Sequence, residues 1–91
     1  MLHIIKTIEK LKLALAYRQP GEHLLLMEDA VYAVLPSHEL TQTLMDIEDM
    51  SVLEPDLNSR GLQNLVSKSL TKVDYSGFVA LTEQHQQSIT W

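Results

Sequence analysis

The stretch Glu22-His23-Leu24-Leu25-Leu26-Met27, followed at once by Glu28-Asp29, decides the fold of this chain. Because side chains alternate along a strand, three consecutive leucines put apolar groups on both of its faces, as is typical of a central strand in a parallel sheet. The two carboxylates then stand at the start of a short helix over residues 30–34, where negative charge suits the helix dipole. We therefore predict a buried parallel strand that leads directly into a helix.

Strand and helix patterns alternate on either side of this stretch. Apolar runs bounded by polar or turn residues predict further strands at 2–5, 51–53 and 70–73, with a short strand or extended tail at 88–91. Helical spacing and capping residues predict helices at 7–18, 37–45, 56–60 and 75–85. Tyr75, Phe78, Val79 and Thr82 share one face of the last of these. The order predicts an α/β fold: a single domain over residues 1–91 with a mainly parallel, four- to five-stranded sheet and helices on both faces, flavodoxin-like in kind.

Composition excludes several classes of function. The chain of 91 residues contains no cysteine, so it forms no disulfide, thiolate nucleophile or cysteine metal site. Its net charge is −5 and its basic residues are sparse, so we expect no direct binding to nucleic acid. No glycine-rich phosphate motif occurs, and we expect no cofactor. No run of consecutive apolar residues is long enough to cross a bilayer, and the N-terminus has no leader pattern, so we expect a cytoplasmic protein without membrane contact.

The sequence gives only weak signals for catalytic residues. No two histidines have the spacing of a helical metal pair, and we interpret all of them as surface or half-buried residues: His3, His23, His38 and His85. No serine has the flanking residues of an activated nucleophile. Glu28 and Asp29 follow a central strand, where ligand sites of α/β proteins form, but adjacent helix residues point in different directions. Capping is the favoured interpretation, and a small enzyme with a site near Asp29 is the alternative.

Two places look like an interface. Leu13 and Tyr17 lie on the first helix roughly opposite its core stripe of Ile8, Leu11 and Leu15. They are either isolated exposed apolar residues or a contact surface for another subunit. Trp91 ends the chain and either docks on its own domain or is clamped by a neighbour. Leu13, Tyr17 and Trp91 are therefore the interface candidates, and formation of a homo-oligomer by the isolated chain stays open.

The chain resembles the TusB/DsrH family of sulfur-relay subunits in the order of its segments, over nearly its whole length. The last block is the most specific, since Asp74–His85 fits D-Y-x-x-F-V-x-L-T-x-x-H and is followed by the terminal Trp91. The other blocks are Met1–His3, Leu24–Ala33, which is similar to L-L-x-x-D-G-V-x-A, and Leu53–Leu62, which is similar to L-x-x-D-L-x-A-R-G. Ala30 and Ser59 depart from these patterns, which have Gly and Ala there.

This resemblance implies a DsrE-like fold and a place in a heterohexamer with TusC-like and TusD-like subunits, which passes persulfide sulfur toward 2-thiouridine at the tRNA wobble position. Some DsrH-type members carry a cysteine in the first helix, where this chain has Ala14. The resemblance therefore implies a structural subunit that is not an enzyme, with the active thiol on the TusD-like partner. The alternatives are a DsrH-like subunit in dissimilatory sulfur metabolism and a small regulatory module that docks a partner through Leu13 and Tyr17.

Overall fold

One parallel sheet organises the computed structural model, which describes residues 1–91. Its strands stand in the order β4-β3-β2-β1-β5, and every neighbouring pair is parallel. The strands are β1 (Leu2–Ile5), β2 (His23–Leu26), β3 (Met50–Leu53), β4 (Lys72–Val73) and β5 (Ser88–Thr90). The predicted α/β class is confirmed, and the leucine-rich strand is the central one.

The helices cover both faces of the sheet. They are α1 (Ile8–Tyr17), a 3-10 helix (Glu28–Val34), α2 (Thr41–Met45), α3 (Glu54–Ser59) and α4 (Tyr75–Gln84). The first four strands are laid down successively in one direction, and only the last crossover returns past β1 to β5. Because such crossovers are right-handed, α4 lies on the face opposite the other helices. The chain thus reverses later than in the flavodoxin order, where the second crossover already returns past the first strand.

The three leucines of β2 contribute side chains to a hydrophobic core on each face of the sheet. Leu24 and Leu26 belong to a cluster of 15 buried residues with the helices of the first face, whereas Leu25 belongs to a cluster of six with α4. Strand alternation explains this division. Burial of all three side chains is what holds β2 at the centre of the sheet.

Two elements differ from the prediction. The segment after β2 is a 3-10 helix, entered through Glu28 with a left-handed φ of +49°. On α4, the predicted apolar face is buried only in part: Phe78 is partly buried and Leu81 is buried beside it, while Tyr75 and Val79 are exposed. The reason is that α4 alone covers its face of the sheet, so only the residues directly above β1 to β3 find a surface to pack on. No helix is both long enough and apolar enough to span a membrane.

Candidate functional site

A buried histidine lies at the amino end of the sheet. His3 is only 1% exposed, beneath α1 on the larger core side. Its Nε2 lies 2.8 Å from Glu22 Oε1, and its Nδ1 accepts a hydrogen bond of 3.0 Å from the indole nitrogen of Trp91. Since an indole N–H can only donate, the proton of the neutral ring is on Nε2 and is donated to Glu22. The interpretation of His3 as a surface or half-buried residue is therefore wrong, because the terminal tryptophan covers it.

Glu22 is held as a carboxylate. Its Oε1 also accepts the backbone N–H of Gln19 at 2.9 Å. That N–H, and after it the His3 hydrogen bond, lower the pKa of Glu22 below its ordinary value, because both favour the charged form. Oε2 makes no hydrogen bond to the chain, and the side chain is 25% exposed. Glu22 therefore presents a negative oxygen to solvent at neutral pH.

Trp91 docks on its own domain. Its backbone N–H donates to Ile4 O at 2.9 Å, and its ring packs against the larger core cluster. Tyr17 meets it edge-on, with 5.6 Å between ring centroids. Leu13 and Tyr17 are 54% and 68% exposed, and their spacing places them on one face of α1. We name Leu13, Tyr17 and Trp91 the α1 patch; its role as an interface stays a prediction.

A cleft opens where α1 ends beside β1 and β5. Its volume is about 460 Å³, and its walls are formed by Met1, His3, Ala16, Tyr17, Gln19, Glu22 and Ile89. The sequence did not indicate this cleft, because its parts come from both ends of the chain and from the turn before β2. The only signals were the family-like Met1–His3 start and the terminal Trp91.

The acidic pair at the opposite end of the sheet is tied to α3. Arg60 donates to Asp29 Oδ1 through Nη2 at 3.1 Å and Nε at 3.3 Å. The backbone N–H of Glu28 donates to the carboxylate of Asp56, and Lys6 lies 3.6 Å from the Glu28 carboxylate. Both acids lie in the first turn of the 3-10 helix, as predicted, but the predicted capping is wrong, because the N-cap is Met27 and no side chain caps this helix. These contacts join the two family-like segments around β2 and α3, which gives the acidic residues a structural role.

A second histidine cluster lies on the α4 side. His23 Nε2 is 2.9 Å from Ser51 Oγ, and the His85 ring lies 5.8 Å from the His23 ring. Burial lowers the pKa of His23, and the neighbouring His85 lowers it further. The sequence did not predict this serine–histidine contact, but Ser51 is only 2% exposed, so no substrate reaches its hydroxyl. No group of three or more His, Asp or Glu side chains is arranged to hold a metal ion.

Comparison with known proteins identifies related families and sequences. A family model described as DsrH like protein matches residues 6–88. Protein TusB of Pectobacterium parmentieri is 33% identical over 72 residues, which cover 78% of this chain and 76% of that protein. Protein TusB of Yersinia pestis (strain Pestoides F) is 37% identical over 71 residues, covering 77% and 75%.

Two solved structures share the fold at low sequence identity. A solution structure of a Thermotoga maritima protein has a TM-score of 0.63 at 19% identity and covers 96% of this chain and 97% of its own. A protein of unknown function from Methanobacterium thermoautotrophicum has a TM-score of 0.67 at 12% identity, covering 99% and 96%. At this identity the likeness concerns the fold alone.

Proposed function

The chain belongs to the DsrH-like protein family, and on that premise we propose that it is a non-catalytic structural subunit of a TusBCD-like sulfur-relay complex. In this complex it assembles with TusC-like and TusD-like subunits as a heterohexamer in the cytoplasm. The complex passes persulfide sulfur toward 2-thiolation of the tRNA wobble uridine. The relatives named TusB support this assignment over a DsrH-like subunit of dissimilatory sulfur metabolism.

One observation carries the non-catalytic part of the proposal. Persulfide transfer needs a thiolate, and the chain has no cysteine. Ala14, where some relatives carry a thiol, is fully buried in the larger core cluster and faces the sheet. Neither a sulfur atom nor access to one exists at this position, so a partner subunit must supply the reactive cysteine.

The α1 patch is the surface we assign to assembly. Leu13 and Tyr17 expose more than half of their surface on one helix face, and Trp91 adjoins Tyr17. Burial of such side chains contributes roughly 25 cal/mol per Å² of apolar area. In a small domain with a thin core, a partner that covers this face stabilises both chains.

Co-expression tests the assembly. The chain, purified with a TusC-like and a TusD-like chain, elutes as one complex at micromolar concentration; separate elution of the unmodified chains overturns the proposal.

The double variant Leu13→Asp/Tyr17→Asp then keeps its circular dichroism spectrum and fails to join the complex. Lys12→Asp is the matched control, because it also places an aspartate on the exposed surface of α1. Its ion pair with Glu39 joins two side chains that are each more than half exposed, so its loss costs little. If the double variant still assembles, this face of α1 is not the subunit interface.

Sulfur transfer tests the chemistry. In the reconstituted complex, Asp29→Ala and Glu28→Ala leave the amount of 2-thiouridine formed unchanged, because these acids serve contacts to α3 and Lys6. Mass spectrometry of digested tRNA measures the product. Loss of product from a complex that still assembles would instead place a reactive site near Asp29.

A further inference from the structure

The cleft beside His3 carries a negative charge on one side chain of its wall. The Glu22 carboxylate is in its wall, and Oε2 has no hydrogen-bond partner in the chain. No lysine or arginine side chain lines it; Arg18, close in sequence, donates to the backbone oxygen of Glu22 instead, at 2.6 Å. The Met1 amino group forms no ion pair with Glu22, whose one close charged or titratable partner is His3, at Oε1. One carboxylate oxygen therefore remains available to a cation from outside.

The remaining walls suit a planar cation on an apolar stem. Tyr17 contributes a ring that is 68% exposed, and Trp91 fixes one edge of it. Trp91 in turn is held by His3 and by Ile4 O, so this aromatic wall is preorganised. Ala16 and Ile89 add apolar surface. A guanidinium stacks on aromatic faces and donates to carboxylates, whereas an ammonium is a more strongly hydrated point charge.

We propose that this cleft binds an arginine side chain presented by a partner protein. The guanidinium donates to Glu22 Oε2 and stacks on Tyr17, and the aliphatic stem lies against Ala16 and Ile89. The cleft volume of about 460 Å³ is sufficient for one side chain with residual water. The net charge of −5 favours approach of a basic surface.

Continuity with the α1 patch argues for a protein rather than a free metabolite. Tyr17 belongs both to the cleft and to the patch, so a subunit that covers Leu13 and Tyr17 also closes the mouth of the cleft. In this respect the inference rests on the proposed function, which supplies the partner. The chemistry of the cleft itself is tested without any partner.

The experiment is a titration of the isolated full chain with Nα-acetyl-arginine amide, followed by ¹H–¹⁵N NMR. Trp91 is the only tryptophan, so its indole N–H gives one assignable cross-peak beside the cleft. The Gln19 amide, which donates to Glu22, is the second reporter. Both peaks shift saturably. The citrulline analogue, which has the same shape without the charge, binds at least about tenfold more weakly, because its hydrogen bond to the carboxylate is no longer charge-assisted.

Variants separate the two recognition elements. Glu22→Gln weakens arginine binding by about tenfold, whereas Glu9→Gln, which removes an exposed acid from α1, leaves it unchanged. Tyr17→Ala weakens binding several-fold and Tyr17→Phe does not, because stacking needs the ring alone. Tyr17 is a surface residue, so this pair stays informative if Glu22→Gln perturbs the fold.

Equal shifts with arginine and citrulline, or unchanged binding in Tyr17→Ala, overturn the proposal. Such a result leaves the co-expression assay untouched. Conversely, if the subunits do not assemble while the titration succeeds, the proposed function is wrong and the cation site stands.

Discussion

Replacing Trp91 with phenylalanine isolates the hydrogen bond that closes the chain over His3. Phenylalanine keeps an aromatic ring against Tyr17 and the larger core, and the backbone bond to Ile4 O does not involve the side chain. What disappears is the indole N–H that His3 Nδ1 accepts at 3.0 Å. His3 is 1% exposed, so water does not readily replace the donor.

The magnitude follows from that burial. A buried acceptor left without a partner costs about 1–3 kcal/mol, so we expect the free energy of unfolding to fall by about 2 kcal/mol. In a domain of this size, each kcal/mol lowers the melting temperature by roughly 4–8 °C. Urea denaturation followed by far-ultraviolet circular dichroism is the suitable assay, because the variant loses its only tryptophan fluorophore.

Controls assign the loss to the hydrogen bond. Tyr17→Phe removes an exposed hydroxyl and should change stability by less than about 0.5 kcal/mol. A double-mutant cycle with His3→Leu, which removes the acceptor, should give a coupling energy of about 1 kcal/mol or more. If Trp91→Phe is as stable as the unmodified chain, or if the two losses simply add, the hydrogen bond does not stabilise the fold and our reasoning is refuted.

Three further predictions concern a helix end, a cap and a titrating group. Gly61 follows α3 with a left-handed φ of +69°, so Gly61→Ala should lower the free energy of unfolding by about 1–2 kcal/mol, measured by urea denaturation. Gly61→Asn should lower it less, since asparagine tolerates this backbone conformation. An alanine variant as stable as the unmodified chain would contradict the strain argument. Thr7→Ala should cost about 1 kcal/mol by the same assay, because the hydroxyl of Thr7 accepts the backbone N–H of Lys10 in the first turn of α1; Thr7→Ser, which keeps that acceptor, should not. Burial lowers the pKa of His23 below its ordinary 6.5, so the unfolded chain takes up this proton first as pH falls, and stability should drop below about pH 6.5. His23→Gln should flatten this part of the stability profile, and a profile that matches the unmodified chain would assign the titration to another group.

Much of the fold could be predicted because the signals for it are local. Strand alternation across Leu24-Leu25-Leu26 requires apolar cover on both faces, and that alone places β2 inside a helix-covered parallel sheet. Thr7 and Asp74 cap α1 and α4 by accepting N–H groups three residues further on. The exposure of Leu13 and Tyr17 follows in the same way from the helical period of α1.

Prediction failed where orientation depends on a distant surface. The period of α4 placed Tyr75 and Val79 on an apolar face, but it cannot say which side of the helix meets the sheet. Of that predicted face only Phe78 packs on the small second side of the sheet, and Leu81 packs there beside it. The left-handed backbone of Glu28 was likewise not predictable, since it depends on Asp56 of α3 receiving its N–H.

By itself, then, the sequence determined the layers of the fold, the capped helix starts and the absence of a thiol in this chain. Only the tertiary structure decided the site. His3 meets Glu22 across 19 positions and Trp91 across 88, because β1 pairs with β2 on one side and with β5 on the other. No local period encodes a contact that arises from strand pairing, and for this reason the cleft and its charged wall appear only in the folded chain.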